Sequence, residues 1–381
     1  MNILYVTFEK PSTRSGGGLV VLQSLISLSE HDIYYVGPEF NAAEFANINL
    51  REVHFLETDS SLINRIRYHS SSIPHQYYES WKKISDELVA RVKFDLCHLE
   101  FSRYSDVVTY AIQHEIKCNV RVHNIEFDYF KKIGETKGLN KRKLFAILNQ
   151  TAIRRNEQYV TKNANNLIFL TREDRIKSEK YYGNWNNGHV IPVCLLGKTS
   201  SSGKPFHFLN EYILLTGSYW YGPNVEGAIW FIDEVWNKIQ NNLGGVGLVI
   251  AGARPNQDLK NTVEKNSSCV LIDSPEDISP YFSGASLYVA PIFDGAGMKV
   301  KVAEALSYGV ALIGTKHALI GYEDAMDVCI RADTAEEFRS EILRLFKHPQ
   351  NFQSHSTVRT VFEKNYSIAA SKKAFEEIMI I

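Results

Sequence analysis

Short apolar runs that alternate with helical stretches constrain the fold of this chain more than any other feature. Alternation of this kind is typical of parallel α/β sheets, because two parallel strands need a crossover connection, which is usually a helix. A first series of runs comprises Ile3–Phe8, Ile33–Val36, Val53–Leu56, Leu96–Leu99, Asn119–Val122, Leu167–Leu170 and Val190–Val193. A second series comprises Tyr212–Thr216, Leu248–Ala251, Val270–Ile272, Leu287–Ala290, Val310–Gly314 and Val328–Arg331. The pattern predicts two doubly wound domains.

The length of the chain also favours two domains. Its 381 residues exceed the size at which a single hydrophobic core keeps growing. Residues 198–205 are polar and rich in turn-forming residues, which is typical of a linker. We therefore predict a first domain over residues 1–197 and a second over 198–365, with a helix at about 366–381 that packs back on the first. Ligands of such sheets bind beyond the carboxyl ends of the strands, so we expect a cleft there.

Composition excludes several classes of protein. A net charge of −1 and a pI of about 6.9 argue against a general nucleic-acid binder. The five cysteines form no CxxC pair, so we expect no zinc site and no disulfide framework. No apolar run reaches the length of about 20 residues that a membrane span needs, and the first residues run into a strand without a basic leader. We expect a cytoplasmic protein.

The segment from Gly295 to Gly309 carries the strongest chemical signal. A glycine turn that feeds a helix exposes backbone N–H groups and the positive end of the helix dipole, which suits phosphate. Lys299 and Lys301 fall at the predicted helix start, where cations oppose the dipole unless an anion is bound there. Glu304 follows, and its carboxylate would accept hydrogen bonds from ribose hydroxyls. The pattern favours a nucleotide, and the alternative is a solvated basic helix face.

This segment resembles the nucleotide-sugar site of retaining glycosyltransferases of family 4, which have the GT-B fold. The matching residues are Gly297, Lys299, Lys301, Glu304, Ala305 and Gly309. The resemblance covers nearly the whole chain and implies an α/β protein with two Rossmann-like, doubly wound parallel-sheet domains that face a central cleft. Much of the family has a Glu-x7-Glu motif here. Glu304 matches its second glutamate, Ala296 occupies the place of the first, and Asp294 is the nearest acid.

The resemblance also assigns donor contacts to loops after several strands. The expected donor-binding residues are Gly17, Gly18, Gly217, Arg254, Asp273, Glu276, Asp294, Gly295, Gly297, Met298, Lys299 and Glu304. Many family members place a basic residue after the first strand of the second domain, against the diphosphate. This chain has none between Gly217 and Lys238, so we expect Lys299 to supply that charge. The donor would be a UDP- or GDP-linked sugar, with retention of configuration and neither a metal nor another cofactor.

A second motif, Arg121-Val-His123-Asn-Ile-Glu126, follows a predicted strand of the first domain. A histidine can donate or accept a hydrogen bond near neutral pH, although a structural histidine explains the same residue. The resemblance implies that His123 faces the transferred sugar and is catalytic together with Lys299 and Glu304. Glu126 and Glu100 are the expected acceptor contacts.

A basic segment with aromatic residues lies in the first domain. Its basic members are Lys131, Lys132, Lys137, Lys141, Arg142, Lys143, Arg154 and Arg155. This composition is typical of a surface that binds anionic membranes, and the alternative is a solvated basic helix. Lipid-linked acceptors are common in the family, so we expect a peripheral protein at the inner face of the membrane.

Together these patterns predict transfer of a hexose-type sugar from a nucleotide-diphosphate sugar to a hydroxyl of a glycan or lipid-linked acceptor, in cell-surface polysaccharide or glycoconjugate synthesis. Two alternatives of the same fold remain, a nucleotide-sugar epimerase and a non-catalytic partner subunit. A nicotinamide oxidoreductase is disfavoured because the chain lacks the GxGxxG motif.

Overall fold

The computed structural model describes residues 1–13, 16–41, 48–135, 141–184, 186–197, 211–295 and 297–380. The chain divides into two compact units. Unit 1 comprises Met1–Pro192 and Ser371–Ile381, and unit 2 comprises Val193–Ala370. The units therefore divide slightly earlier in the chain than the predicted boundary. The predicted linker at 198–205 lies outside the described residues.

Unit 1 contains a seven-stranded parallel sheet. Its strands are β1 (Asn2–Val6), β2 (Asp32–Gly37), β3 (Leu50–Phe55), β4 (Leu96–Glu100), β5 (Lys117–Val122), β6 (Asn166–Phe169) and β7 (Gly188–Val190). Their spatial order is β3-β2-β1-β4-β5-β6-β7. The order reverses beside β1, which is the arrangement of a doubly wound sheet.

Helices cover this sheet. They are α1 (Gly17–Ser27), α2 (Leu62–Arg67), α3 (Tyr78–Arg91), α4 (Ser105–Gln113), α5 (Glu126–Glu135), α6 (Lys141–Asn163) and α7 (Arg172–Tyr182). The last helix of the chain, α15 (Ile368–Ile380), enters unit 1 at Ser371. Its Phe375 and Ile378 are buried in the core of that unit, and the Ser27 hydroxyl donates to Ser371 Oγ over 2.8 Å.

Unit 2 contains a six-stranded parallel sheet. Its strands are β8 (Tyr212–Ser218), β9 (Gly247–Ala253), β10 (Cys269–Asp273), β11 (Leu287–Ala290), β12 (Leu312–Gly314) and β13 (Cys329–Arg331). Their spatial order is β10-β9-β8-β11-β12-β13. Its helices are α8 (Gly222–Trp230), α9 (Asn237–Ile239), α10 (Gln257–Glu264), α11 (Ser279–Ser283), α12 (Val300–Ser307), α13 (Ala335–Lys347) and α14 (His355–Asn365). A π-helical segment, Phe231–Trp236, joins α8 to α9.

The cores explain why the strands were recognisable from the sequence. Strands β1, β8 and β11 are apolar along most of their length and almost fully buried, as expected for strands with helices on both faces of a parallel sheet. Every predicted strand has a counterpart in the two sheets, so the predicted α/β fold is confirmed. Within the part of the chain that the structure describes, no helix is long and apolar enough to cross a membrane.

One helical hairpin projects from the sheet of unit 1. Helix α5 begins at Glu126, directly beyond the carboxyl end of β5, and there its first N–H groups contact Glu157 of α6. Helix α5 packs along the preceding part of α6, as shown by the rings of Phe130 and Phe145, whose centroids lie 6.1 Å apart. Residues 141–156 of α6 therefore extend, together with α5, past the carboxyl edge of the sheet.

Candidate active site

His123 lies immediately after β5, at the carboxyl end of the strand, as the sequence predicts. Its side chain is nearly buried, and Nε2 lies 2.5 Å from Oε2 of Glu100. The imidazole stacks on the ring of Phe101 with centroids 3.9 Å apart. Gly17, the first residue of α1, lies beside it: a Cβ built on Gly17 would lie 3.6 Å from Nδ1 of His123. The structure thus brings His123 and the glycine-rich turn of unit 1 together, while the catalytic role of His123 stays a prediction.

Glu100 is placed differently from the expectation that it contacts an acceptor. Its side chain is completely buried, and Oε1 accepts hydrogen bonds from the Tyr5 hydroxyl at 2.5 Å and from His98 Nε2 at 3.2 Å. Burial by itself would raise the pKa of this carboxyl, but the hydrogen bonds from His123 and His98 outweigh it and hold the pKa well below its usual range. Glu100 is therefore an ionised group beneath His123, and it has no surface to offer an acceptor.

Glu126, the other expected acceptor contact, is the first residue of α5 and is also nearly buried. Its carboxylate accepts a hydrogen bond from the Arg103 guanidinium at 2.8 Å. The backbone N–H groups of Glu126 and Phe127 donate to the carboxylate of Glu157, at 2.9 and 2.8 Å. Glu157 therefore caps α5 from the neighbouring helix.

Glu157 is a positioning group that the sequence analysis missed. Besides the two N–H groups of α5, the hydroxyls of Ser102 and Tyr182 donate to it, each over 2.7 Å. Burial raises the pKa of Glu157 to about 7, while the four donors favour the ionised form. Nothing in the local pattern of α6 marks this residue, because its partners come from three other segments.

Gly18 allows close packing of the backbone within its own loop. A Cβ on this residue would clash with the carbonyl oxygen of Lys10, and the Gly18 carbonyl accepts the N–H of Ser12 at 2.9 Å. Gly18 is therefore required for close packing of the loop that precedes α1, and Gly17 is the glycine that lies against His123.

In unit 2, the predicted glycine turn precedes α12. Gly295 and Gly297 have φ values of +109° and +69°, a region that favours glycine. Lys299 is the N-cap residue of α12, and its Nζ donates to the carbonyls of Gly295 and Gly297 at 2.8 and 2.7 Å. His317 Nε2 also lies 2.7 Å from the Gly295 carbonyl. Lys299 thus holds the glycine turn closed and keeps its charge beside the turn.

Lys301, in the first turn of α12, points away from Lys299. Its Nζ donates to Oδ1 of Asn224 at 2.8 Å. Asn224 lies in the first turn of α8, and its amide donates to the Ser218 carbonyl at 3.0 Å. Burial lowers the pKa of Lys301, Glu304 opposes this effect and the charge of Lys299 adds to it, and together they set the pKa at about 8. The β8–α8 connection has no basic residue of its own, and Lys301 therefore places a positive charge beside it.

A small pocket lies beside Lys301, with Thr216, Tyr219 and Asn224 in its wall. It has room for about one water molecule. The Tyr219 hydroxyl is buried and has no hydrogen-bond partner among the described residues. The sequence analysis assigned no role to Asn224, although this residue directly follows the proline that marks the start of a helix.

Glu304 lies in the middle of α12, one turn after the glycine-rich start, and is partly buried. The carboxylate is close enough to raise the pKa of Lys301 against the effect of burial. Gly217 lies near the end of β8, where a Cβ would come 3.3 Å from the side chain of Asn224. Gly217 and Lys301 thus both lie against Asn224 in the first turn of α8, and Glu304 lies near Lys301.

The other expected donor-binding residues occupy loops of the same sheet edge, with different exposure. Arg254 follows β9 at a φ of +52°, and its guanidinium lies 5.1 Å from the centre of the exposed Trp220 ring. Asp273 ends β10, and its carboxylate pairs with Lys260 at 3.0 Å. Glu276 is exposed on the following loop. Asp294 is exposed, and its Oδ1 accepts the N–H of Gly295 at 2.7 Å.

Met298 differs from its expected role. It is 7% exposed, and its sulfur accepts the backbone N–H of Val193 at 3.2 Å. An unbranched apolar side chain fills such a gap readily, so Met298 anchors the glycine turn by packing. Among the described residues, no group of three or more His, Cys, Asp or Glu side chains is arranged to hold a metal ion.

Comparison with known proteins shows which families this chain is similar to. Residues 210–348 match the family model of the glycosyl transferases group 1. An uncharacterized 44.6 kDa protein in the cps region of Klebsiella pneumoniae is 25% identical over 238 residues, which are 60% of this chain and 59% of that protein. The chain thus spans about three-fifths of the length of this curated relative.

Solved structures extend the similarity to both units. A glycosyltransferase from Rickettsia africae is 10% identical with a TM-score of 0.71, covering 99% of this chain and 97% of its own. The Anabaena protein HepE, in complex with UDP and glucose, is 11% identical with a TM-score of 0.64, covering 100% of this chain and 99% of its own. The chain has the GT-B fold of these glycosyltransferases, and residues 210–348 of its second unit are similar to the glycosyl transferases group 1 model. The expected fold and the resemblance to glycosyltransferases are confirmed at this level.

Proposed function

We propose that this chain is a retaining, family-4-like glycosyltransferase that moves a hexose-type sugar from a UDP- or GDP-linked donor to a hydroxyl of a glycan or lipid-linked acceptor. Cell-surface polysaccharide or glycoconjugate synthesis is the proposed setting. The observation that carries the proposal is the glycine turn with two lysines at the start of α12, inside the matched domain. The complex of HepE with UDP and glucose supports a nucleotide sugar as the donor class.

In unit 2, the turn and the lysines would act on the diphosphate. Negative charge grows on the leaving diphosphate as the sugar departs, and fixed N–H groups and cations stabilise it. Lys299 lies at the turn, and Lys301 lies beside the first turn of α8, so the two ammonium groups supply charge to two helix starts. Neither needs a metal ion to do so. Glu304 would hold the ribose through its carboxylate.

In unit 1, His123 would hold a hydroxyl of the transferred sugar. It lies at the carboxyl end of β5, where sheets of this type present their ligand-binding groups. Gly17 leaves the space beside Nδ1 free of a side chain. Glu126, held in place by Arg103 and Glu157, remains the proposed acceptor-side residue.

We also propose that unit 1 contacts an anionic membrane surface from the cytoplasmic side. Helix α6 exposes a group of large apolar side chains, each at least half exposed: Leu144, Phe145, Ile147 and Leu148. Basic residues Lys131, Lys132, Lys143, Arg154 and Arg155 lie on the same hairpin. The side chains of Lys141 and Arg142 and all of Lys137 lie outside the described residues. Apolar side chains among cations suit the boundary between headgroups and acyl chains.

Helix α2 supports this membrane contact independently. Leu62, Ile63 and Ile66 are 64–70% exposed, and Arg65 and Arg67 lie between and beside them. The helix follows β3, so it starts from the same carboxyl edge that carries the hairpin. Exposed apolar groups of this size mark interaction sites in soluble proteins.

Replacement of Glu304 by Gln tests the donor assignment. Charge-assisted hydrogen bonds contribute roughly 1.5–3 kcal/mol, so Glu304→Gln should raise the Kd of the nucleotide by about tenfold or more. Calorimetry with UDP, GDP and ADP identifies the base and measures the change. Glu264→Gln, at the exposed end of α10, is the matched control and should bind as the wild type does. Equal affinities of the Glu304→Gln variant and the wild type would reject the ribose contact.

A further inference from the structure

Phe101, the residue after β4, has a backbone conformation that bulky residues rarely adopt. Its φ is +74°, in the left-handed region. Five described residues other than glycine have positive φ, and Phe101 is the buried one; Glu115, Asn186, Arg254 and Ser274 are all exposed. A strained conformation of this kind persists where the surrounding structure enforces it, and such residues cluster at functional sites.

The strained backbone directs the Phe101 ring onto His123. The N–H of Phe101 donates to the Arg121 carbonyl at 2.9 Å, which ties the turn to β5. The ring then stacks on the imidazole at 3.9 Å between centroids, with an angle of 19° between the planes. The Arg103 guanidinium lies 5.2 Å from the same ring centre. Any side chain at Gly17 would meet Phe101 Cζ at 3.0 Å, so this position stays open only with glycine.

Glu100, one residue earlier, determines which nitrogen of His123 carries a hydrogen. Its Oε2 lies 2.5 Å from His123 Nε2, and the low pKa of Glu100 means that the carboxyl is ionised and can only accept. Nε2 must therefore donate. The other oxygen of Glu100 is occupied by Tyr5 and His98, so the carboxylate cannot rotate away without losing those bonds.

The remaining nitrogen of His123, Nδ1, has no hydrogen-bond partner among the described residues, although it is buried. It lies 3.6 Å from the place that a Cβ on Gly17 would occupy. Buried polar atoms in folded proteins nearly always have a partner, so an unpaired one beside an open glycine position indicates a missing ligand group.

We propose that Glu100 and Phe101 are positioning residues that hold His123 with Nε2–H toward Glu100 and with the lone pair of Nδ1 toward Gly17. His123 then accepts a hydrogen bond from a hydroxyl of the bound sugar and does not donate one. The identity of the sugar rests on the proposed function, whereas the ring orientation and the tautomer do not. Glu100 acts through His123 and touches no substrate.

Nitrogen-15 NMR of the full chain, labelled at histidine, tests the tautomer without any activity measurement. The resonances of His123 are those lost in the His123→Gln variant. At neutral pH we expect a hydrogen on Nε2 and none on Nδ1. In Glu100→Gln the oxygen can stay with Tyr5 and His98, and the NH2 then donates to Nε2, so a population with hydrogen on Nδ1 should appear. A wild-type ring with hydrogen on Nδ1, alone or on both nitrogens, would overturn the proposal.

Two replacements of Phe101 separate the ring from the backbone. Phe101→Gly adopts a positive φ without strain, and Phe101→Leu keeps an apolar side chain; both remove the stacked ring. Each should broaden or shift the His123 resonances and lower kcat by about tenfold, with little change in the KM of the donor. Phe94→Leu, a buried aromatic replacement elsewhere in the same core, should change neither. Wild-type resonances in both Phe101 variants would refute the positioning role.

The ligand itself is tested by titration. Adding the nucleotide sugar should shift the Nδ1 resonance, and adding the nucleotide alone should leave it unchanged, because only the sugar carries the hydroxyl in question. If the nucleotide sugar binds by calorimetry but Nδ1 does not respond, the hydroxyl contact is wrong. If no nucleotide sugar binds while the tautomer is as expected, the proposed function fails and the positioning by Glu100 and Phe101 stands.

Discussion

Replacing Lys301 with methionine should stabilise the free protein and weaken nucleotide binding. The ammonium group of Lys301 lies beside the β8–α8 connection, and it donates a hydrogen bond to Oδ1 of Asn224 at 2.8 Å. Burial lowers its pKa to about 8. The proposed function accounts for a charge held at such a cost, because the ammonium group would attract the diphosphate of the donor.

The magnitude follows from that pKa. The drop from 10.5 to about 8 corresponds to roughly 3 kcal/mol at about 1.4 kcal/mol per pKa unit. Methionine removes this cost but leaves the Asn224 oxygen without its donor, which costs about 1 kcal/mol. The net expectation at pH 7 is a free energy of unfolding about 2 kcal/mol higher in Lys301→Met. Exchange of buried charges for apolar groups has this sign in other proteins.

The pH dependence has a definite sign. Between pH 8 and 10.5 the unfolded chain keeps the proton on Lys301 and the folded chain has lost it, so the wild type gains stability as pH rises through this window. The advantage of Lys301→Met should therefore shrink from pH 7 to pH 10. Nucleotide affinity of the wild type should fall as pH rises through about 8, because the neutral amine no longer attracts the diphosphate.

Urea denaturation at pH 7 and pH 10, followed by tryptophan fluorescence, measures the stability, and calorimetry measures the nucleotide affinity. Lys299→Met is the matched control. The Lys299 amine binds the carbonyls of Gly295 and Gly297, so its loss should destabilise the glycine turn at both pH values. A Lys301→Met variant less stable than the wild type at pH 7, or one that binds nucleotide equally well, would refute the reasoning.

Two further outcomes are expected. Glu157→Gln should lower the free energy of unfolding by about 2–3 kcal/mol and speed amide exchange at Glu126 and Phe127, because the glutamine side chain cannot accept hydrogen bonds from all four donors. The control Glu135→Gln, at the exposed end of α5, should change neither quantity. Unchanged amide exchange in Glu157→Gln would count against the cap. The double variant Phe145→Ser, Leu148→Ser should lower affinity for anionic vesicles about tenfold or more, since each loses an exposed apolar side chain. Ile176→Ser, on α7, is the control, and a wild-type protein that ignores anionic vesicles at low salt would end the membrane proposal.

Much of the fold was predictable because it depends on local periodicity. Strands buried on both faces read as short apolar runs, and helices between them impose parallel pairing, so both sheets could be predicted from the sequence. The glycine turn before α12 was predictable for a similar reason: positive φ at Gly295 and Gly297 needs glycine, and glycines before an apolar helical stretch are visible in the chain.

The spacing of Lys299 and Lys301 predicts that they point to different sides of the helix, but the partners of the two amines were not predictable. The sequence places both at the helix start, but the helix begins at Val300, so Lys299 is the cap and bonds the turn, while Lys301 faces α8. Residues two apart on a helix point in different directions, and a boundary shift of one residue changes which side chain meets which neighbour.

Glu100 is the clearest case of a residue whose role could not be predicted from the sequence. Its strand is buried on both faces, so alternation along β4 contains no information about which side a carboxylate faces. Burial of that carboxylate is tolerable only because Tyr5, His98 and His123 supply hydrogen bonds, two of them from other strands.

The sequence by itself determined the two parallel sheets, the turn chemistry of the second unit and the placement of His123 at a strand end, because each depends on residues close together in the chain. Tertiary structure alone decided the partners of the polar groups. Lys301 meets Asn224 across 77 positions and Ser371 meets Ser27 across 344. Such pairs form only after the apolar elements have packed, and the cost of burying an unpaired polar group then selects the partner.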